Sequence, residues 1–213
     1  MGKAAKSKRR SKDGDEPRVR KRILKAAFAA FMKSGYATAS TLDIATRARV
    51  SKRELYALVG NKEQMLIACI SERAKRLDVP ADLPVLRDRE TLEQVLTSFG
   101  TKLVREVSDP TVIGIFRLAI AEAVHAPEVA HALNSIGRET RRAALRKIMA
   151  QAEASGLLRG RPAELAEQFF GLLWRDLMVS LLLGVAERPT PREIARRAHD
   201  AAAAFLHLHP ATE

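Results

Sequence analysis

The sequence predicts an all-α protein of about nine helices. Three observations carry that expectation. Apolar residues recur at helical spacing through most of the chain, the recurrences are bounded by capping residues, glycine and proline, and no stretch shows the period-two alternation or hairpin turns of strands. With 213 residues, 46% hydrophobic and 29% charged, the chain has enough apolar side chain for a packed core.

Residues 1–16 hold Lys, Arg, Ser, Gly and Asp with almost nothing to bury, and are expected as a disordered basic arm. Order is expected from near Pro17, where Asp15 can cap and proline suits a first helical turn; Ile23, Ala27, Phe28 and Phe31 then recur at helical spacing until Gly35. Ser40 with Asp43, and Ser51 with Glu54, are capping-box patterns that each open a short helix. Ala45, Ala48 and Val50 pack between them, leaving only a few residues for the turn. Gly60-Asn61-Lys62-Glu63 ends the third helix and begins a fourth, which carries Met65, Leu66, Ile70 and Leu77. A break runs from Pro80 to Pro84. Longer helices are expected at about 89–107, 110–125, 127–155 and 161–185, with a last one at 191–208 after Pro189-Thr190-Pro191. The expected organisation is therefore an arm at 1–16, a three-helix unit at 17–66 and a larger helical unit at 67–210.

The net charge of +12 is unevenly placed. Residues 1–66 carry 17 Lys and Arg against 6 Asp and Glu, or +11, and residues 67–213 carry 20 against 19, or +1. A positive module joined to a near-neutral one is expected when one end neutralises phosphates and the other packs against protein or small molecules; for residues 1–16 alone, a solvated basic tail is the alternative. Cys69 is the only cysteine, which excludes an intrachain disulfide and fits a reducing compartment, and no nearby His would activate it. Residues 1–22 lack the apolar stretch of a secretory signal, and Lys6 stands where N-myristoylation needs Ser or Thr. The longest apolar run, Phe169 to Ala186, is interrupted by Arg175-Asp176, which are costly at a bilayer centre. A cytoplasmic protein without membrane spans is expected. His125, His131, His199, His207 and His209 form no HExxH pattern, and no phosphate loop or nucleophile elbow occurs, so neither an enzyme nor a cofactor is expected.

The two short helices have the proportions of a brace and a recognition helix, which must expose polar side chains near its amino terminus while its partner crosses the phosphates. Ser51 caps the second, Lys52 and Arg53 project from its first turn, and Leu55 turns inward. Tyr56 can reach a phosphate or a base edge, Lys62 begins the next helix close to the backbone, and Ser40 and Thr41 open the brace helix as phosphate anchors or, for Ser40, purely as a cap. Lys52 and Arg53 suit either phosphate or guanine O6 and N7. Gly35-Tyr36, Asp43-Ile44-Ala45, Val50-Ser51, Leu55-Tyr56 and Asn61-Lys62-Glu63 fall at spacings for which residues 18–66 resemble the TetR-type DNA-binding domain. The later helices are similar in order and length to that family's carboxy-terminal domain.

Three positions depart from the family pattern. Arg49 stands where the turn usually carries Gly, so either the turn differs or Arg49 offsets a left-handed conformation with an added phosphate contact. Glu54 brings negative charge near the groove, as a capping partner or as an acceptor from cytosine N4. Val59 and Gly60 replace a common aromatic residue and proline.

The resemblance implies a sequence-specific regulator, a repressor released from a pseudo-palindromic operator by a small-molecule effector, with the fourth helix transmitting the change. A non-specific basic DNA-binding protein without an effector is the alternative. The 161–185 helix is apolar around most of its circumference, which suits one face in the subunit core and another pairing with the Ala-rich final helix across a two-fold axis. Phe99, Leu103, Phe116, Arg117, Ile120, Trp174, Arg175 and Met178 are the candidate effector contacts; ordinary core and buried ion pairs explain the same residues.

Overall fold

The computed structural model describes residues 4–74 and 85–210, with side chains from Asp15 to Glu72 and from Val85 to Pro210. Leu77 and the Pro80 to Pro84 break lie outside the described residues. The elements are α1 (Ala4–Ser34), α2 (Thr41–Ala48), α3 (Lys52–Val59), α4 (Lys62–Ala74), α5 (Arg89–Val107), α6 (Pro110–Glu122), α7 (Pro127–Ala132), a π-helical segment (Leu133–Arg138), α8 (Glu139–Ala154), α9 (Pro162–Trp174), α10 (Leu177–Leu183) and α11 (Pro191–Leu208). Among the described residues there is no strand, and no helix is long and apolar enough to cross a membrane.

Helix α1 extends through Pro17 back to Ala4, whereas order is expected only from Asp15–Pro17, with residues 1–16 as a disordered arm. The interior proline removes one backbone donor, but the Ala, Lys, Arg and Glu around it are good helix formers. The expected 127–155 helix is continuous, with a π-helical turn inside it. The expected 161–185 helix is divided: Arg175 takes φ 45° and ψ −122°, ending α9. Carbonyls freed by such a break need donors. Arg197 of α11 supplies them, its Nη1 donating to Leu173 O at 3.2 Å and Trp174 O at 3.3 Å.

The chain forms two compact units, Met1–Arg73 with Arg117–Asn134, and Ala74–Phe116 with Ser135–Glu213. A division made along the chain at residue 66 has no place for the 117–134 segment. In the first unit the apolar periodicity of α1 becomes core: Ile23, Ala27 and Phe31 are fully buried, as are Ile44, Ala48, Leu55 and Met65 from the next three helices. Cys69 is fully buried, its thiol donating to Leu24 O.

The second unit is held by α5, α8, α9 and α11. Gly100 of α5 lies where an added Cβ would stand 3.1 Å from Leu173 and 3.2 Å from Ala198, so the absence of a side chain permits this close approach. Ala198, Ala201, Ala202 and Phe205 form the buried face of α11, and Phe205 meets Phe169 edge to face at 5.8 Å. Arg89 at the start of α5 donates to Leu157 O and Leu206 O, tying three element ends together.

Candidate nucleic-acid interface

Helices α2 and α3 are built by their caps. Ser40 Oγ accepts from the Asp43 amide at 3.4 Å and Ser51 Oγ from the Glu54 amide at 3.1 Å, both caps having extended backbone. The Asp43 carboxylate faces Arg47 one turn on, at 2.9 Å. Between the helices Arg49 sits at φ 54° and ψ 49°, and its amide closes the end of α2 on Ala45 and Thr46. The turn therefore keeps the left-handed conformation that glycine normally supplies. Arg22 of α1 contributes a restraint that no motif signals: its Nε donates to Ala48 O at 2.6 Å, holding the last turn of α2.

On α3 the helical period sorts the side chains. Leu55 and Val59, four apart, are buried, while Ser51, Lys52, Arg53, Glu54 and Tyr56 are exposed. Tyr56 Oη donates to Thr41 Oγ1 at 3.4 Å, and Lys52 Nζ lies 5.9 Å from the Tyr56 ring centre. Ser40, Thr41, Lys52 and Tyr56 thus belong to one surface spanning the start of α2 and the outer face of α3. Gly60 ends α3 at φ 77°, and a Cβ there would collide with Gln64 Oε1 at 1.8 Å. That oxygen accepts from the Asn61 amide, and Asn61 Oδ1 accepts from the Gln64 amide, so the cap of α4 occupies the space.

Lys62 is placed differently from the solvent-facing lysines. It is half-buried, its Nζ donating to Ala37 O at 2.8 Å and Ala39 O at 3.3 Å, 4.9 Å from the Tyr36 ring centre. The same turn is also held by Glu122, whose Oε1 accepts from the Tyr36 amide at 2.8 Å and the Ala37 amide at 3.2 Å. Tyr36 is buried, and its phenol is pushed up to about 12 by that burial and by Glu128, which acts on it through space and through a side-chain hydrogen bond. Glu122 and Glu128 lie far along the sequence, and no local pattern announces their contact with Tyr36.

A capped, basic, outward-facing α3 braced by α2 is a helix-turn-helix. Residues 23–69 match the family of bacterial regulatory proteins named for tetR, and residues 94–209 match the carboxy-terminal domain of AefR-like transcriptional repressors. The chain belongs to the TetR family of transcriptional regulators. Among solved structures, the flavonoid-responsive regulator FrrA is 25% identical, with TM-score 0.77 over 92% of this chain and 100% of FrrA. A TetR regulator from Agrobacterium tumefaciens is 27% identical, with TM-score 0.73 over 89% and 94%. A TetR-family regulator from Mesorhizobium loti MAFF303099, at 24% identity and TM-score 0.73 over 91% and 98%, shares the fold. No curated protein sequence matches the chain.

The candidate effector contacts of this TetR regulator are divided. Leu103 is buried in the core of the second unit, with Phe99, Phe116, Trp174 and Met178 half-buried against it. Arg117 and Ile120 belong to the first unit, where both are exposed. Arg175 is exposed at the break between α9 and α10. It lines a half-open cavity of about 510 Å³ together with Leu177, Arg188, Thr190, Arg196 and Arg197. Arg197 holds the broken helix there, and Arg188 donates to Arg105 O. Among the described residues no cluster of metal-ligating side chains occurs.

Proposed function

We propose that the protein is a homodimeric repressor that places paired α3 helices in successive major grooves of a pseudo-palindromic operator and leaves it when a small molecule binds the second unit. The observation that carries this reading is the outer face of α3: Lys52, Arg53 and Tyr56 are exposed, directly behind them Leu55 is fully buried, and Ser51 caps the helix. Arg53 is the proposed base reader. Lys52, Arg49, Ser40, Thr41 and Ser51 are proposed to meet phosphates, and Tyr56, set by Thr41, a phosphate or base edge. Lys62 is proposed to serve the interface by fixing the Ala37–Ala39 turn that introduces α2.

Pairing is proposed through α9–α10 and α11. Val179 and Leu183, one turn apart on α10, are 57% and 71% exposed, and Leu208 at the end of α11 is 62% exposed; these apolar groups are the ones a partner would cover. Two copies related by a two-fold would offer recognition helices about 34–36 Å apart. Phe99, Leu103, Phe116, Trp174 and Met178 are the proposed effector contacts, and the effector would act by favouring a dimer whose α3 spacing no longer fits. Helix α4, running on from α3, is the proposed relay. Footprinting on DNA upstream of the protein's own gene tests the reading. Two protected half-sites one helical turn apart, preferred over scrambled DNA by roughly 10³-fold, are expected. Equal affinity for scrambled DNA would leave only a non-specific basic binder.

A further inference from the structure

The cavity of about 510 Å³ at the break between α9 and α10 is lined wholly by residues of the second unit. Its volume suits a small molecule. Four guanidiniums share it: Arg175 from the break itself, Arg188 from the segment before α11, and Arg196 and Arg197 from α11. Two of them are fixed by the surrounding framework. Arg197 donates to the Leu173 and Trp174 carbonyls, while Arg188 donates to Arg105 O at 3.1 Å and faces Asp109 at 3.8 Å. The guanidiniums of Arg175 and Arg196 form no hydrogen bond and no ion pair among the described residues. Arg175 is also strained. At φ 45° and ψ −122° it holds a backbone in which glycine is at ease and other residues are not. A strained residue that presents an unpaired cation to a cavity has the character of a binding position rather than of a structural one.

The other side chains of the lining narrow the ligand. Leu177 and Pro189 are its only apolar residues, so the cavity suits a hydrophilic body. Of its three carboxylates, Glu193 belongs to the cap of α11: its Oε2 accepts from the Thr190 amide and hydroxyl at 2.8 Å each, and these bonds, with Arg196 behind them, hold its carboxyl below the ordinary value. Asp200 faces His199 at 3.8 Å, and Glu187 has no partner among the described residues. Neither pairs with any of the four arginines, so both keep oxygens free to accept from hydroxyl groups.

We propose that this cavity binds a phosphate monoester with a hydroxylated body, its phosphoryl group held between the forks of Arg175 and Arg196 and its hydroxyls donating to Glu187 and Asp200. A phosphoryl group offers three strong acceptor oxygens, enough for two guanidinium forks. The free carboxylates discriminate against an anion that brings no donors, which separates the ester from bare phosphate. The site does not draw on the proposed effector contacts at Phe99 and Leu103, which are apolar.

Glucose 6-phosphate, glucose and inorganic phosphate are the probes, each labelled and dialysed to equilibrium against the full-length protein at one ionic strength. The wild type should bind glucose 6-phosphate saturably and at least about tenfold more tightly than either of the other two. Arg175→Gly removes the guanidinium and relieves the backbone, and Arg196→Gln keeps a good helix former on α11; each should weaken the ester at least about tenfold with native helicity. Glu187→Gln should narrow the margin over inorganic phosphate. Absence of saturable binding, or an affinity no better than that of inorganic phosphate, overturns the proposal. So does binding that survives in either arginine variant, as it would if the ester sat on the cationic face of α3.

Discussion

Arg49 holds a left-handed backbone at the centre of the helix-turn-helix, a conformation that costs an L-residue about 1 kcal/mol relative to glycine. Arg49→Gly is therefore expected to be more stable than Arg49→Ala by about 1 kcal/mol in denaturant unfolding, because only glycine relieves the strain. Both should weaken operator binding to a similar degree and make its salt dependence shallower, the mark of a lost phosphate contact. An unchanged salt slope in both variants would assign Arg49 to the turn alone. Tyr36 gives a pH prediction from a single group. Its phenol is raised above its ordinary value of 10.0 to about 12, so the folded state holds the proton more tightly than the unfolded chain. The stability this contributes is complete below about pH 10 and is lost as pH rises toward 12. Chemical denaturation across that window should show a steeper loss for the wild type than for Tyr36→Phe.

Each short helix of the DNA-binding unit is too brief to persist alone, so its caps and outside restraints decide whether it forms. Ser51→Ala removes the acceptor for the Glu54 amide and should cost about 1 kcal/mol of stability. Operator affinity should fall as well, since the first turn of α3 carries Lys52 and Arg53; an equilibrium melt and a binding isotherm check the two effects. At the α9–α10 break, Arg197→Met leaves the Leu173 and Trp174 carbonyls without their donor. A loss of about 1–3 kcal/mol is expected for these charge-assisted bonds, read by thermal unfolding. These two elements also mark the boundary of legibility. Ser51 was evident from its position three residues before Glu54, whereas the break at Arg175 was hidden inside an apolar run and depends on a guanidinium 22 positions further along the chain, counting from 175 to 197.

For the assembled molecule, Leu183→Glu would place a charge on the apolar face proposed to pair across the two-fold. Sedimentation should show dimers for the wild type and monomers for this variant at the same concentration, with cooperative operator binding lost and the helical content of the monomer retained. Dimers that persist would move the interface away from α10. Residues 1–16 contribute six basic and three acidic side chains to the strongly positive front of the chain. Their deletion should flatten the salt dependence of DNA binding without altering which sequence is preferred.

Periodicity, caps and charge placement were enough, from the sequence alone, to specify an all-helical chain with a basic front third, the α2 and α3 starts at Ser40 and Ser51, and the outward residues of α3. Those features depend on neighbours within a turn or two, where local sterics and hydrogen bonding act. Only the tertiary structure decided what depends on residues distant in sequence. Glu122 and Lys62 both bond the turn before α2, Arg22 holds the end of α2, and Arg197 supplies donors at a break in an apolar helix. Arg141 is the sharpest instance. In sequence it is one of two adjacent arginines, and only packing separates Arg142, which reaches Glu167, from Arg141, whose Nε is shielded from solvent without an acceptor. Neighbours on a helix point about 100° apart, so the partner available to each is set by the fold around it.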